Sequence, residues 1–290
     1  MYIKLTPTFL RTKPREHLLM MFRLPDMAGL SKDMIITQMT TPDSIPYLAI
    51  CEYCRVSHVL VELNGRAGEP LYCMSCARTS PQRAFQRNLE RTDLLISLSS
   101  KMRTADNEAK SILLEQSVVT IITSFEVFLR DIYSLILDHK HVVFGESIYQ
   151  RIYDSTRNEF LNLGAANARF KKEVGVNLKE ELGQANYSFL SSMYSARHII
   201  VHNCSIKDKD YLNQTGDDFQ NLNKKLDVTT EDVHQLTILV KQVAKLSEDK
   251  LREHLLDTYS KRIDLIISFL ADTGAHFPVS YGGTAGNEDE

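Results

Sequence analysis

The sequence predicts a mainly α-helical fold with a small β module near its N-terminus, and three observations predict it. Five of the eight prolines fall within residues 1–48, where helices cannot run through them. Two Cys-x2-Cys pairs follow, separated by a segment that alternates like strands. From Ser80 onward, apolar residues recur at helical spacing over most of the remaining chain.

Bulk properties bound the answer. A chain of 290 residues with 43% hydrophobic content can bury a substantial core. Its formal charge of −3 excludes a globally basic nucleic-acid coat, so any anionic partner must be held by a local patch. The opening MYIKLTPTFLRTKPREHLLMMF is interrupted by Lys4, Arg11, Lys13, Pro14, Arg15 and Glu16, which leaves no apolar core for a signal peptide. The most apolar stretch, SILLEQSVVTIITSFEVFL, is broken by Glu115, Gln116 and Glu126, short of the ~20 residues of a membrane span. A cytoplasmic location with no membrane partner is therefore expected. There is no P-loop, dinucleotide fingerprint or internal repeat.

The elements follow in order. Residues 1–48 read as an irregular leader. Residues 49–79 contain Cys51, Cys54, Cys73 and Cys76 as C-x2-C-x18-C-x2-C, and the intervening SHVLVELNGRAGEPLY reads as a strand, an Asn-Gly turn and a second strand. A zinc ribbon is built this way: each pair supplies two thiolates from a tight turn, and a hairpin brings the pairs around one tetrahedral ion. Two disulfides or four free thiols are the alternatives. The absence of a secretion signal disfavours disulfides. Four sulfurs leave no open position, so Zn2+ here is expected to be structural, with no cofactor for catalysis.

Residues 80–104 predict a connecting helix capped by Ser80 with Pro81 at its first position. Arg83, Arg87 and Arg91 recur along it at i, i+4, i+8, either as a solvated face paired with acids such as Glu90 or as a track for RNA phosphates. A second helix over Asn107–His139 places Ile112, Leu113, Val119, Ile122, Phe125, Leu129, Ile132 and Ile136 on a broad apolar face, with Glu126 and Arg130 spaced for a helical ion pair. A loop around Gly145, helices near 147–163 and 165–174, and a helix carrying YSARHIIVHNCSIKD come next. Thr229 or Thr230 then caps two long helices or one bent helix, with apolar positions from Val233 through Leu255 to Ile263, Ile266 and Leu270. Residues 273–290, Gly-rich and acidic at the end, read as a disordered tail.

Arg197, His198 and His202 are the chemically unusual cluster. His198 and His202 share a helical face as zinc ligands do, but Ile199, Ile200 and Val201 stand where a metalloprotease places its glutamate. A second reading is structural: a helix end with the three apolar residues in the core and histidines near the last carbonyls. The third is chemical. An arginine offers a permanently charged fork to a phosphate, and an imidazole can exchange a proton near neutrality. Together they can assist a ribose 2′-OH in attacking its own phosphodiester without a metal. Arg197 and His202, five residues apart, lie about 140° apart around an ideal helix, so two copies of the chain would form a better cleft than one.

RHIIVH is an R-x4-H motif, and it closely resembles the signature of the HEPN-domain ribonucleases. SFEVFLRDIYSLIL resembles that family's first core helix and FLNLGAANARFKKEVGVNL its mid-domain segment, so the similarity spans roughly residues 105–270, within a HEPN-like domain over 105–272. The resemblance implies a HEPN-like helical bundle that forms a homodimer, with the motifs of both protomers lining one cleft. It also implies a metal-independent endoribonuclease, of the kind found in toxin–antitoxin and antiviral defence systems, with an antitoxin or defence-system partner protein. Arg197 would polarise the scissile phosphate, His202 would act as general base or acid, and His198 and Asn203 would assist. Glu126 matches a helix position that is often acidic in relatives. The tyrosine that nucleotidylation targets in one subgroup is Cys204 here, so that control is not expected. The competing readings are a non-catalytic RNA- or protein-binding module and, third, a metal-dependent hydrolase.

Overall fold

The computed structural model describes residues 2–4, 45–50, 53–54, 57–62, 73, 76–102, 106–142 and 147–272, with the backbone alone for the strands and for 259–260 and 262–272. Most of the leader, Cys51, the Asn64-Gly65 turn, the loop around Gly145 and the tail lie outside the described residues.

The fold is mainly α. Three short strands, β1 (Tyr2–Lys4), β2 (Ile45–Ile50) and β3 (Ser57–Glu62), form an antiparallel sheet in the order β1-β2-β3. β3 is the strand expected after the first cysteine pair, but the partner described for it is β2, which precedes that pair. Among the described residues, β1 pairs with Tyr47–Ala49 of β2, and Pro46 is paired with Val61 of β3.

Among the described residues seven α-helices follow: α1 (Pro81–Lys101), α2 (Asn107–His141), α3 (Tyr149–Ser155), α4 (Leu163–Arg169), α5 (Leu178–His202), α6 (Lys209–Thr215) and α7 (Thr230–Asp272). α1 begins as its sequence predicts, with Ser80 Oγ accepting from the Arg83 amide at 3.4 Å and Pro81 in the first turn. α2 is the central element and packs against α1, α7, α5 and α3. Its Val118, Ile122, Phe125, Leu129, Ile132 and Ile136 are fully buried, and Phe85 of α1 stacks on Phe128 with ring centroids 4.9 Å apart. Truncating a ring such as Phe125 in this interior would cost ~3–5 kcal/mol. α2 is long and apolar enough to cross a bilayer, yet 61% of its apolar stretch is buried inside the fold.

Several expectations need correction. Ile112 was placed on the core face, but it lies near the start of α2 and is 47% exposed. The two helices expected over 147–174 are shorter and interrupted. α3 ends at Ser155, a 3₁₀ turn spans Glu159–Leu161, and α4 runs into a π-helical turn, Phe170–Val174, that ends on Gly175 at φ +80°. The positive φ suits glycine because no Cβ has to be accommodated. Arg169 fixes this segment with a bidentate pair to Glu159, whose longer arm is 2.7 Å. In α5, Gly183 at φ +75° separates a first turn from the straight run that carries the Arg-His cluster. The C-terminal pattern resolves into one helix, α7. It opens on a reciprocal capping box in which Thr229 Oγ1 accepts from the Asp232 amide at 3.1 Å and Asp232 accepts from the Thr229 amide at 2.9 Å. Ile263, Ile266 and Leu270 fall where only the backbone of α7 is described.

Candidate functional site

Two groups of chemically capable residues emerge. The first is the cysteine cluster. Cys54, Cys73 and Cys76 each offer a sulfur, and the three sulfurs lie within 4.8 Å of one another. Among the described residues this is the one group of three or more Cys, His, Asp or Glu placed to hold a metal ion. Local geometry explains the convergence. The Ala77 amide donates to the Cys73 carbonyl at 2.8 Å and the Cys73 amide to the Arg78 carbonyl at 2.8 Å, closing Cys73 against Ala77 and Arg78 in a tight knuckle. Ala77 closes it at φ +57°, a left-handed conformation costing an alanine ~1 kcal/mol or more.

The Cys54 and Cys73 sulfurs are 3.7 Å apart. Sulfur ligands at about 2.3 Å from a tetrahedral ion sit about 3.8 Å from each other, whereas a disulfide brings them to about 2.0 Å. The donor set and its spacing therefore fit a metal ion.

The second group surrounds the end of α5. Arg197 is partly buried and its Nη2 lies 3.7 Å from Glu126 Oε2, across the α2–α5 contact. Glu126 itself is 5% exposed. Burial pushes its carboxyl above the ordinary range, while the Arg197 and Arg130 guanidiniums pull it partly back. Glu126 Oε1, Arg130 Nε, Arg197 Nε and the Tyr194 hydroxyl are buried without a hydrogen-bond partner, which makes this an under-satisfied polar pocket. The helical ion pair expected between Glu126 and Arg130 is replaced. Arg130 turns instead to the Tyr153 hydroxyl and, at 3.2 Å, to the Arg157 carbonyl, leaving Glu126 to Arg197.

His198 and His202 are exposed on the last turn of α5, their ring centroids 4.8 Å apart. No third ligand joins them among the described residues. Ile199 is buried, but Val201, which the structural reading of the cluster puts in the core with it, is 49% exposed beside the histidines. Asn203 is the helix cap, and its side-chain amide donates to the Ile206 carbonyl at 2.7 Å, so it shapes the turn. Cys204 and Ser205 follow at φ +51° and +63°, a strained pair for side chains with a Cβ. The turn is held by Ser205, whose amide donates to the Ile199 carbonyl at 3.0 Å and whose hydroxyl donates to buried Glu115 at 2.8 Å.

The arginine stripe of α1 is placed differently. Arg87 and Arg91 are exposed and Arg83 is half-buried, and Glu90 accepts from Gln86 at 3.4 Å.

Sequence reasoning missed the aromatic group beside the cysteines. The Arg78 guanidinium lies 5.0 Å from the Tyr53 ring centroid and 4.6 Å from that of Tyr149 in α3. The available signal was position, since Tyr53 lies inside the first cysteine pair and Arg78 two residues past the second. Comparison of the chain with protein-family models, curated proteins and solved structures finds no match.

Proposed function

We propose that the protein is a HEPN-type, metal-independent RNA endonuclease acting as a homodimer, with a zinc-bearing cysteine module attached to its helical domain. The observation that carries this reading is the end of α5, where a half-buried arginine anchored on Glu126 stands next to two exposed imidazoles. Arg197 would neutralise charge developing on the scissile phosphate, and His202 would move the proton of the attacking 2′-OH, with His198 beside it. Burial raises the Glu126 carboxyl and the Arg197 guanidinium beside it pulls it back, so the two groups are electrostatically linked. The proposed second copy would meet this end of α5, where Val201 is 49% exposed beside the histidines. In that dimer two Arg-His sets would face one another, which resolves the poor alignment of Arg197 and His202 on a single helix. A place in antiviral defence or a toxin system, with a neutralising or activating partner, follows from the resemblance alone.

For the cysteine module we infer one Zn2+ held by Cys54, Cys73 and Cys76 together with Cys51. An ion with four thiolates has no open coordination position, so its contribution is to folding.

The test is incubation of purified protein with RNA in EDTA, under conditions where a zinc count stays at one per chain. Cleavage leaving 2′,3′-cyclic phosphate ends, abolished in Arg197→Ala and His202→Ala, is the expected result. Equal cleavage by both variants would overturn the site. A binding-only reading has one observation in its favour, the charge of Arg197 already engaged by Glu126. RNA that stays intact but is bound, with affinity falling on substitution of Arg87 and Arg91, would establish it.

A further inference from the structure

The cysteine cluster is joined to the helical domain by side chains that the proposed zinc site and nuclease do not use. Tyr53 and Tyr149 are almost fully buried, at 7% and 5% exposure, and meet edge to face with centroids 5.0 Å apart and planes at 85°. Arg78 packs against both rings and extends Nη2 to Gln150 Oε1 at 2.5 Å. Tyr53 and Arg78 come from the two cysteine turns, one from each, whereas Tyr149 and Gln150 open α3. The contact therefore closes only when both turns are in place.

The same contact reaches α2. The Tyr149 hydroxyl donates to Asp131 Oδ1 at 2.5 Å, and its ring stacks with Tyr153 at 5.6 Å. Tyr153 in turn lies under the Arg130 guanidinium, 3.6 Å from its ring centroid, and its hydroxyl accepts from Arg130. Arg130 and Asp131 are one turn along α2 from Glu126, the residue that anchors Arg197.

We propose that Tyr53 and Arg78 form a clasp through which a loaded cysteine cluster orders α3 and fixes Arg130 beside the Glu126–Arg197 pocket. This rests on the zinc reading, because the ion is what holds the two turns in register. Tyr53, Arg78, Tyr149 and Tyr153 are positioning residues and touch no reacting atom.

Hydrogen exchange on the full-length protein tests it. Arg78→Ala, checked by zinc count to retain one ion per chain, should speed amide exchange across Tyr149–Ser155 by about tenfold while the amides of Leu129–Ile136 keep their wild-type rates. Arg78→Lys retains a cation against the rings and should recover most of the protection. Stripping the wild-type protein with TPEN should reproduce the Arg78→Ala pattern. Wild-type exchange over α3 in Arg78→Ala, or in the stripped protein, would overturn the clasp. RNA cleavage plays no part in this readout, so an inactive wild-type protein would refute the nuclease reading and leave the exchange result to decide the clasp. Likewise, a zinc count of zero in wild type would refute the metal reading, while Arg78→Ala would still report on the contact itself.

Discussion

The cysteine cluster and the end of α5 are both short motifs set on tight, left-handed turns, yet they are organised in opposite ways. In the first, groups distant in sequence converge: Cys54 and Cys73, nineteen residues apart, bring their sulfurs to 3.7 Å. In the second, groups five residues apart diverge, with Arg197 turned inward to Glu126 and His202 outward to solvent. A metal site must close on itself, because one ion has to touch every ligand within a bond length. A site for a polymer must stay open, and its missing half can come from a second molecule. The difference teaches that the sulfurs of one chain already converge as a metal site needs, whereas the proposed RNA site would need a second copy to complete it.

The largest effect that would break this comparison lies in the cysteines. Cys54→Ser should abolish the zinc signal in a chromogenic release assay, removing a contribution of ~10–16 kcal/mol apparent from a module of this size, while the helical circular dichroism of α1–α7 persists. Retained stoichiometric zinc would show that the ligands lie elsewhere.

Next comes the α5 end, where the two motif residues should separate. His202→Ala should lower RNA cleavage ~10²–10⁴-fold yet shift urea stability by no more than ~0.5 kcal/mol, because the imidazole is exposed. Arg197→Ala should lose activity and also ~1–3 kcal/mol, because it leaves buried Glu126 without its ion-pair partner. Mixing the two inactive variants should restore part of the cleavage, since the shared cleft of a mixed dimer would regain one intact Arg197 and one intact His202 from opposite protomers. No recovery under conditions where subunits demonstrably exchange would argue for a site confined to one chain.

A smaller effect concerns pH. The carboxyl of Glu126 is raised by burial, so between its ordinary value near 4.5 and its folded value the native state holds more protons than the unfolded chain. That contribution to stability is present at low pH and is lost as pH rises through the folded value. Glu126→Gln should flatten this part of the stability–pH curve; an unchanged slope in chemical denaturation across that range would assign it to other groups.

The smallest effects are at the left-handed residues that the two regions share. Ala77→Gly should stabilise the knuckle by ~1 kcal/mol or less, and Cys204→Gly should do the same for the turn after α5. Thermal melting would register either as a rise of a few degrees. A fall at position 77 would mean that the alanine methyl packs usefully despite the strain.

Much of the helical architecture was readable because its signals are local. Ser80-Pro81 announces the start of α1, Thr229 and Asp232 that of α7, and the apolar run through Phe125, Leu129, Ile132 and Ile136 announces a helix buried on several sides. Where several local signals compete, reading failed. The segment 147–174 contains enough helix formers to suggest two helices, but it wraps around Tyr133, whose ring meets Phe160 at 5.4 Å and Phe170 at 6.0 Å. Packing these aromatics requires a 3₁₀ turn and a π turn in place of regular helix. Ile112 is misplaced for a related reason: helical periodicity marks an apolar face without saying where the neighbouring helices stop covering it.

By itself the sequence determined the helical class, the cysteine spacing and the presence of Arg197 and His202 on one helix, because each depends on residues within a few turns of one another. Only the tertiary structure decided which partner each charge takes. Glu126 was spaced for Arg130, but α5 brings Arg197 across to it while α3 offers Arg130 the ring and hydroxyl of Tyr153. A helical ion pair is worth only ~0.2–0.5 kcal/mol, so it yields to partners that packing delivers from elsewhere in the chain.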